Sequence, residues 1–455
     1  MIVMKFGGSS VESRSAIDRV VSIIESRQAQ KPVVVVSAMG KTTNRLLAIG
    51  DLAAGGRREE ELKQLAELQD YHLREGGEAG GAVIGHFQEL AELVRGLSVL
   101  GELTPRSIDA LSSYGERLSS LILAERLNQR GVPAIQQDAR DYIITDERHT
   151  HASPLFPQTY ERLQAKIQEL AARRVVVMGG FIGSTGKGVT STLGRGGSDF
   201  SASIVGAGIQ ASEIQIWTDV DGMLTCDPRI LPSGHRIRVI SFAEAAELAY
   251  FGAKVLHPST VVPAVEKNIP VLILNSRRPE VEGTRIVAEP VPCKNPIKSI
   301  AVKRHITILN VRSLRMLMAH GFLRRIFEVF DRHETAVDVV ATSEVSVSMT
   351  IDSSKALDEV AAELREFAEV SIEENQALIA VVGEKIGTTK GIAGRLFRSL
   401  QGVNVRMISE GASLLNLSFV VADDDAVPAV EALHEEFFGE LDPNVFERKA
   451  EAVSA

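Results

Sequence analysis

Four short runs of β-branched and aliphatic residues constrain this chain most. Val33-Val-Val-Val36, Val175-Val-Val-Met178 and Val271-Leu-Ile-Leu-Asn275 lack the alternation of a half-exposed strand, and Glu213-Ile-Gln-Ile-Trp-Thr218 is read with them. Such runs mark strands covered on both faces, as in a parallel sheet. Helix-like segments lie between them. Thr104-Pro105 opens one, with proline at the first helical position, and Gly131 closes it. Alternating strands and helices predict a three-layer α/β/α domain around a mainly parallel sheet. Sheets of this kind bind ligands beyond the carboxyl ends of their strands.

The 455 residues allow about two to four domains and a large core. A net charge of −9 argues against a general nucleic-acid or anionic-membrane role. No apolar run approaches the roughly 20 residues of a membrane span. Cys226 and Cys293 supply neither a disulfide framework nor a metal cluster, so no protein-held metal is expected. The start of the chain has no basic-then-apolar leader, and a reducing, cytoplasmic setting is expected.

Residues 51–103, rich in charge and glycine, read as a helical excursion with solvated faces. Three prolines between Glu289 and Pro296 suggest a linker. Beyond it the chain repeats itself. Gly321-Phe-Leu-Arg-Arg-Ile-Phe327 aligns with Gly391-Ile-Ala-Gly-Arg-Leu-Phe397. Each unit reads strand, helix, strand, strand, helix, starting at Ile306 and Leu378 respectively. Units this small bury little core alone, so they pair edge to edge or across subunits.

Three segments carry chemistry. The first strand, Met1–Phe6, holds Lys5 and runs into Gly7-Gly-Ser-Ser10 and a helix. Glycines let backbone approach a ligand, and helix N-termini attract anions, so this place suits a polyphosphate. The Walker pattern is absent, because its lysine follows the glycines. The second segment is Gly194-Arg-Gly-Gly-Ser-Asp199. Arg195 offers a fork matched to carboxylate or phosphate, Ser198 falls at a plausible N-cap, and Asp199 falls in the first turn. Asp199 also suits plain complementation of the helix dipole. The third runs from Trp217-Thr-Asp-Val-Asp-Gly222 to Asp227-Pro-Arg229. Its acids fit a ribose or phosphate site and fit an Asp-Gly turn equally well. Phe251-Gly-Ala-Lys254 places another lysine beside a glycine.

Together with Ser37-Ala-Met-Gly-Lys-Thr-Thr-Asn44, Ser113-Tyr-Gly-Glu-Arg117 and Gly252-Ala-Lys-Val-Leu-His-Pro258, these segments resemble the aspartokinases of the amino-acid kinase family. The tandem repeats resemble that family's ferredoxin-like ACT units. The resemblance implies a catalytic domain over 1–292 and ACT units over 298–376 and 377–455, with strands exchanged between them. Nothing follows the ACT units here, which implies a monofunctional enzyme. The implied reaction moves a phosphoryl group from ATP, with nucleotide-bound Mg2+, to the side-chain carboxylate of L-aspartate. Lys5, Asp199 and Lys254 would be catalytic. Lys5, Gly7, Gly8, Ser9, Thr218, Asp219, Leu224, Arg229, Lys254 and Val255 would bind ATP. Ser37, Thr43, Glu116, Phe181, Arg195, Gly196, Gly197 and Ser198 would bind aspartate. Leu224 stands where family members often carry an aromatic residue.

The first ACT unit resembles the lysine-sensitive branch. Met316, Ala319, Gly321, Phe322, Leu323, Val337, Asp338, Ser343 and Glu344 would form a pocket for L-lysine. Ala319 replaces a small hydroxyl residue, removing one hydrogen bond, worth about 0.5–1.5 kcal/mol. The same stretch also suits ACT core packing. A homodimer is implied, and a tetramer with effector. Two rival readings are a glutamate or acetylglutamate kinase and a non-catalytic amino-acid sensor. The ACT repeats, Glu116 and Thr43 oppose the first, and intact Lys5, Arg195, Asp199 and Lys254 oppose the second.

Overall fold

The computed structural model describes residues 1–252, 258–313, 320–352, 356–411 and 413–447. Its central sheet has eight strands: β1 Ile2–Phe6, β2 Pro32–Val36, β3 Ala134–Gln137, β4 Val175–Gly179, β5 Glu213–Thr218, β6 Val239–Ser241, β7 Val271–Asn275 and β8 Thr284–Val287. Their spatial order is β6-β8-β7-β5-β1-β2-β4-β3. Every neighbouring pair is parallel except β7 with β8. All four of these runs are strands here, and Val33–Val36 are wholly buried. The register sets Phe6 beside both Val36 and Trp217, so β1, β2 and β5 end at one edge.

Helices cover both faces. One layer holds α1 Arg14–Glu25, α2 Thr42–Ala54, α3 Arg58–Gly76, α4 Ile84–Leu100, α5 Pro105–Ser112 and α6 Tyr114–Gln129. The opposite layer holds α7 Phe156–Ala171 and α8 Gly197–Ile209. There Gly206 leaves no room for a side chain, since a Cβ would fall 2.6 Å from Ile214 Cδ1. The excursion at 51–103 is more than a solvated appendage. Leu65, Leu68, Phe87, Leu90, Val94 and Leu97 join Met4 and Phe6 in one core. Its charged residues occupy only the outer faces, which is why composition alone hid the inner stripe. The single helix expected after Thr104 is two, α5 and α6. Ser112 and Ser113 turn their hydroxyls back onto the carbonyls of Asp109 and Ala110 at the break.

Contacts cluster into two compact units that interleave along the sequence. The first holds Met1–Met223, Arg238–Phe242 and a later stretch ending at Glu289. The second holds Leu224–Ile237, a stretch opening at Ala243, and the chain from Pro290 onward. The second unit carries a six-stranded antiparallel sheet: β9 Ser299–Arg312, β10 Val339–Thr342, β11 Ser346–Ile351, β12 Glu369–Val382, β13 Met407–Ser409 and β14 Asn416–Ala422, ordered β10-β11-β9-β12-β14-β13. The strand expected from Ile306 begins at Ser299. Its two halves serve different repeats. Thr307–Arg312 pairs with β11, while Ser299–Lys303 pairs with Leu378–Val382 of the second repeat. A register shift between Lys303 and Ile306 separates the halves, where His305 takes a left-handed φ of 57°. Among the described residues, no helix is long and apolar enough to cross a membrane.

Candidate active site

The site forms where β1, β2, β4 and β5 end. Phe6 closes β1, and the Gly7 N–H donates to the Trp217 carbonyl at 3.2 Å. The chain then tightens into a 3-10 turn, Gly8–Ser10. Gly8 must be glycine, because a Cβ there would meet the Ala38 carbonyl oxygen at 2.8 Å. Among the described residues, no carbonyl accepts from the N–H of Gly8 or Ser9. Ser10 Oγ lies 2.8 Å from Ser276 Oγ, and the Ser276 N–H donates to the Thr218 carbonyl at 2.8 Å. This chain of bonds ties the turn to the ends of β5 and β7.

Helix α8 brings a second set of free donors. Its cap is Gly196, in a left-handed conformation at φ 71°, and not Ser198 as the sequence suggested. Ser198 and Asp199 sit in the first turn, where helical N–H groups have no partner within the helix. The positive end of the helix dipole therefore faces the same space as the Gly8 turn.

That space is a cavity of about 340 Å³. Lys5, Gly8, Ser37, Thr43, Glu116, Phe181, Gly196, Gly197, Ser198 and Asp199 line it, all anticipated from sequence. Ala38, Gly40 and Gly194 line it too and were not singled out. All three lie inside motifs already recognised, so their signal was backbone approach, which side-chain chemistry does not report. Lys5 Nζ lies 2.7 Å from Asp199 Oδ1, with both side chains largely buried. Glu116 is 3% exposed. Its Oε1 accepts from the Ala38 N–H at 3.1 Å, while Oε2 has no hydrogen-bond partner. Burial pushes its carboxyl up to about 8, against the opposing pull of the Ala38 bond. Phe181 holds a left-handed φ of 65°. Ser201 Oγ accepts from the Phe181 N–H and donates to the Gly197 carbonyl, both at 2.9 Å, and so latches two walls together.

The remaining predicted residues lie around or away from this cavity. Gly7 precedes the Gly8–Ser10 turn and Ser9 lies within it, while Thr218 ends β5 and Asp219 follows it, the two joined by a 3.2 Å hydrogen bond. Asp221 is committed to Asn275 Nδ2 and Arg278 Nη1, each at 2.7 Å, which favours its turn role. Arg195 lies between lining glycines, but its side chain is exposed and forms no part of the cavity wall. Leu224 and Arg229 belong to the second unit. Arg229 is exposed and pairs with Asp227 at 2.6 Å, which holds that carboxyl below its usual range. Lys254 and Val255 lie outside the described residues. Among the described residues, no cluster of three His, Cys, Asp or Glu side chains is arranged to hold a metal ion.

In the second unit, Gly321 takes a left-handed φ of 82° and caps the helix Phe322–Arg332. Phe322 is buried, and Val337 packs against the same core. Leu323, Ser343 and Glu344 are exposed. Asp338 is already paired: its Oδ2 lies 2.7 Å from Lys303 Nζ, which also meets Asp352 Oδ1 at 2.8 Å. Met316 and Ala319 lie outside the described residues.

Comparison with known proteins matches these features. Residues 1–275 match the amino acid kinase family, and residues 379–437 match the ACT domain. Aspartokinase 3, chloroplastic, of Arabidopsis thaliana is 41% identical over 96% of this chain and 81% of its own length. The crystal structure of Escherichia coli aspartokinase III in complex with lysine and aspartate (T-state) superimposes with a TM-score of 0.85 at 35% identity, over 96% of this chain and 99% of that one. The same enzyme in complex with aspartate and ADP (R-state) gives 0.78 at 36% identity, over 96% of this chain and 100% of that one. A glycine-built anion cradle, a buried lysine–aspartate pair and a C-terminal antiparallel sheet thus agree with sequence likeness over almost the whole chain, which belongs to the aspartokinase branch of the amino acid kinase family, enzymes that phosphorylate the side-chain carboxylate of aspartate.

Proposed function

We propose that the cavity brings the terminal phosphoryl group of ATP and the β-carboxylate of L-aspartate together, with the residue roles that follow. One observation carries this reading: a single cavity holds a paired cation, Lys5, and an unpaired buried carboxylate oxygen, Glu116 Oε2. Two anions must meet, so charge neutralisation is the main task. The N–H groups of Gly8 and Ser9, with Lys5, take the phosphates. Asp199 holds Lys5 in place. Glu116 receives the substrate ammonium, and Arg195 and Ser198 receive its α-carboxylate, with Thr43 and Ser37 completing the hydrogen bonds.

The β-carboxylate is ionised at neutral pH and needs no general base. Its oxygen forms a bond to phosphorus as the bond to the ADP oxygen breaks, giving an acyl phosphate. Magnesium travels on the nucleotide phosphates, which suits a cavity whose one lining carboxylate outside Glu116 is engaged with Lys5. Thr218, Asp219 and Leu224 address the nucleoside, and Arg229 and Lys254 the phosphates. The ACT repeats bind an amino-acid effector, L-lysine, through Asp338, Glu344 and the backbone near Gly321. The enzyme acts as a homodimer in the cytoplasm, a setting that suits its two reduced cysteines, Cys226 and Cys293.

Lys5→Ala is expected to lower kcat by about 10³-fold while the protein stays folded. Activity within tenfold of the parent would remove the assignment. Assays with aspartate, glutamate and acetylglutamate in competition separate this reading from a related amino-acid kinase.

A further inference from the structure

Asp109 lies outside the cavity, on α5, with its side chain fully buried. Its carboxylate gathers three donors. Oδ1 accepts from Thr192 Oγ1 at 2.5 Å and from the Thr150 N–H at 3.0 Å. Oδ2 takes that same N–H at 3.1 Å and lies 2.7 Å from His149 Nδ1. His149 donates there when its ring carries a proton on Nδ1.

These donors stand directly behind one cavity wall. Thr192 ends the strand Thr190–Thr192, and the chain then passes through Leu193 into the turn Gly194-Arg195-Gly196. Thr150 is held at φ 70°, a left-handed conformation that β-branched residues rarely adopt. The Ala152 N–H donates to the Thr192 carbonyl at 2.9 Å, joining loop to strand. Gly194, itself at φ 75°, sits so close to the loop that a Cβ would lie 2.8 Å from His151 Nδ1 and 3.2 Å from the Thr150 carbonyl oxygen. The turn that carries Arg195 therefore leans on a strained loop, and Asp109 is the group that holds both.

We propose that Asp109 is a positioning residue for substrate recognition: through Thr150 and Thr192 it fixes the 194–196 turn from which Arg195 reaches the carboxylate of the amino-acid substrate. The proposal rests on the reading of Arg195 given above. The arrangement predicts a selective effect, because the nucleotide side of the cavity rests on β1 and the Gly8 turn instead.

The test measures KM for aspartate and for ATP in Asp109→Asn, Thr192→Val, Arg195→Ala and the Asp109→Asn/Arg195→Ala double variant. Asp109→Asn is expected to raise the aspartate KM between about tenfold and a hundredfold, with the ATP KM within about twofold. Thr192→Val, which removes one bond of the set, is expected to raise it about threefold and decides the matter if Asp109→Asn fails to fold. In the double variant the aspartate KM should match that of Arg195→Ala alone, since the positioned group is already gone. Additive effects, or equal rises in both KM values, would overturn the positioning role. An unchanged aspartate KM in Arg195→Ala would instead overturn the reading of Arg195.

Discussion

The two units each keep a carboxylate suited to an ammonium ion, and they keep it differently. In the cavity, Glu116 is buried with one oxygen unpartnered, and no described cation meets it. In the ACT sheet, Asp338 is already held by Lys303, which is shared with Asp352. The first leaves a buried oxygen that an incoming ammonium would meet without displacing another cation. The second is satisfied at rest, so any effector ammonium must compete with a tethered lysine. On the proposed roles, substrate recognition would rest on an unpartnered buried carboxyl, and effector recognition on exchange.

The largest expected effect breaks the first half of that contrast. Glu116→Ala should raise the aspartate KM by roughly 10²–10³-fold, the scale of losing one partner of a buried ion pair. The same change should raise the melting temperature of the ligand-free protein near pH 8, because an unfavourable burial is gone. A variant with unchanged melting temperature and unchanged KM would show that the orphan oxygen has no cost and no purpose.

A proton balance sharpens the contrast next. The Glu116 carboxyl is raised to about 8 by burial, and an adjacent ammonium would lower it again. Aspartate binding near neutral pH should therefore release a proton. Affinity should climb by up to about tenfold per pH unit and level off above about pH 8. The free protein holds more protons at this site than the unfolded chain does, so this group costs stability progressively as pH rises from 4.5 towards 8. Titration calorimetry in two buffers of different ionisation heat reads the release directly, and identical heats would refute it.

The smallest effect tests exchange in the second unit. Lys303→Met leaves Asp338 without its tethered partner and should tighten L-lysine inhibition by about three- to tenfold. Asp338→Asn should weaken it. Inhibition curves unmoved by Lys303→Met would mean that the two ammonium groups never share the carboxylate.

Much of the first unit was legible beforehand because its signals are local. Unalternating valines mark strands buried on both faces, and Lys5 before two glycines marks a strand end built for anions. The structure sets Ser37, Thr43, Glu116, Ser198 and Asp199, drawn from separate motifs, around one cavity. What escaped was support. Asp109 carries no motif, Ser201 resembles any small helical residue, and the inner stripe of 51–103 was masked by charge around it. Ser198 yielded the cap to Gly196, because the turn there needs a left-handed backbone more than a side-chain acceptor.

Residue order alone determined which segments become strands, where glycine lets a backbone close on an anion, and which charges are available to the reaction. Tertiary structure alone decided that Ser299–Lys303 would complete the second repeat rather than the first, and that Thr150 and Thr192 would converge on one aspartate. The reason is range: periodicity and capping act over a few residues, whereas a buried carboxylate draws its partners from wherever the packed core sets a donor.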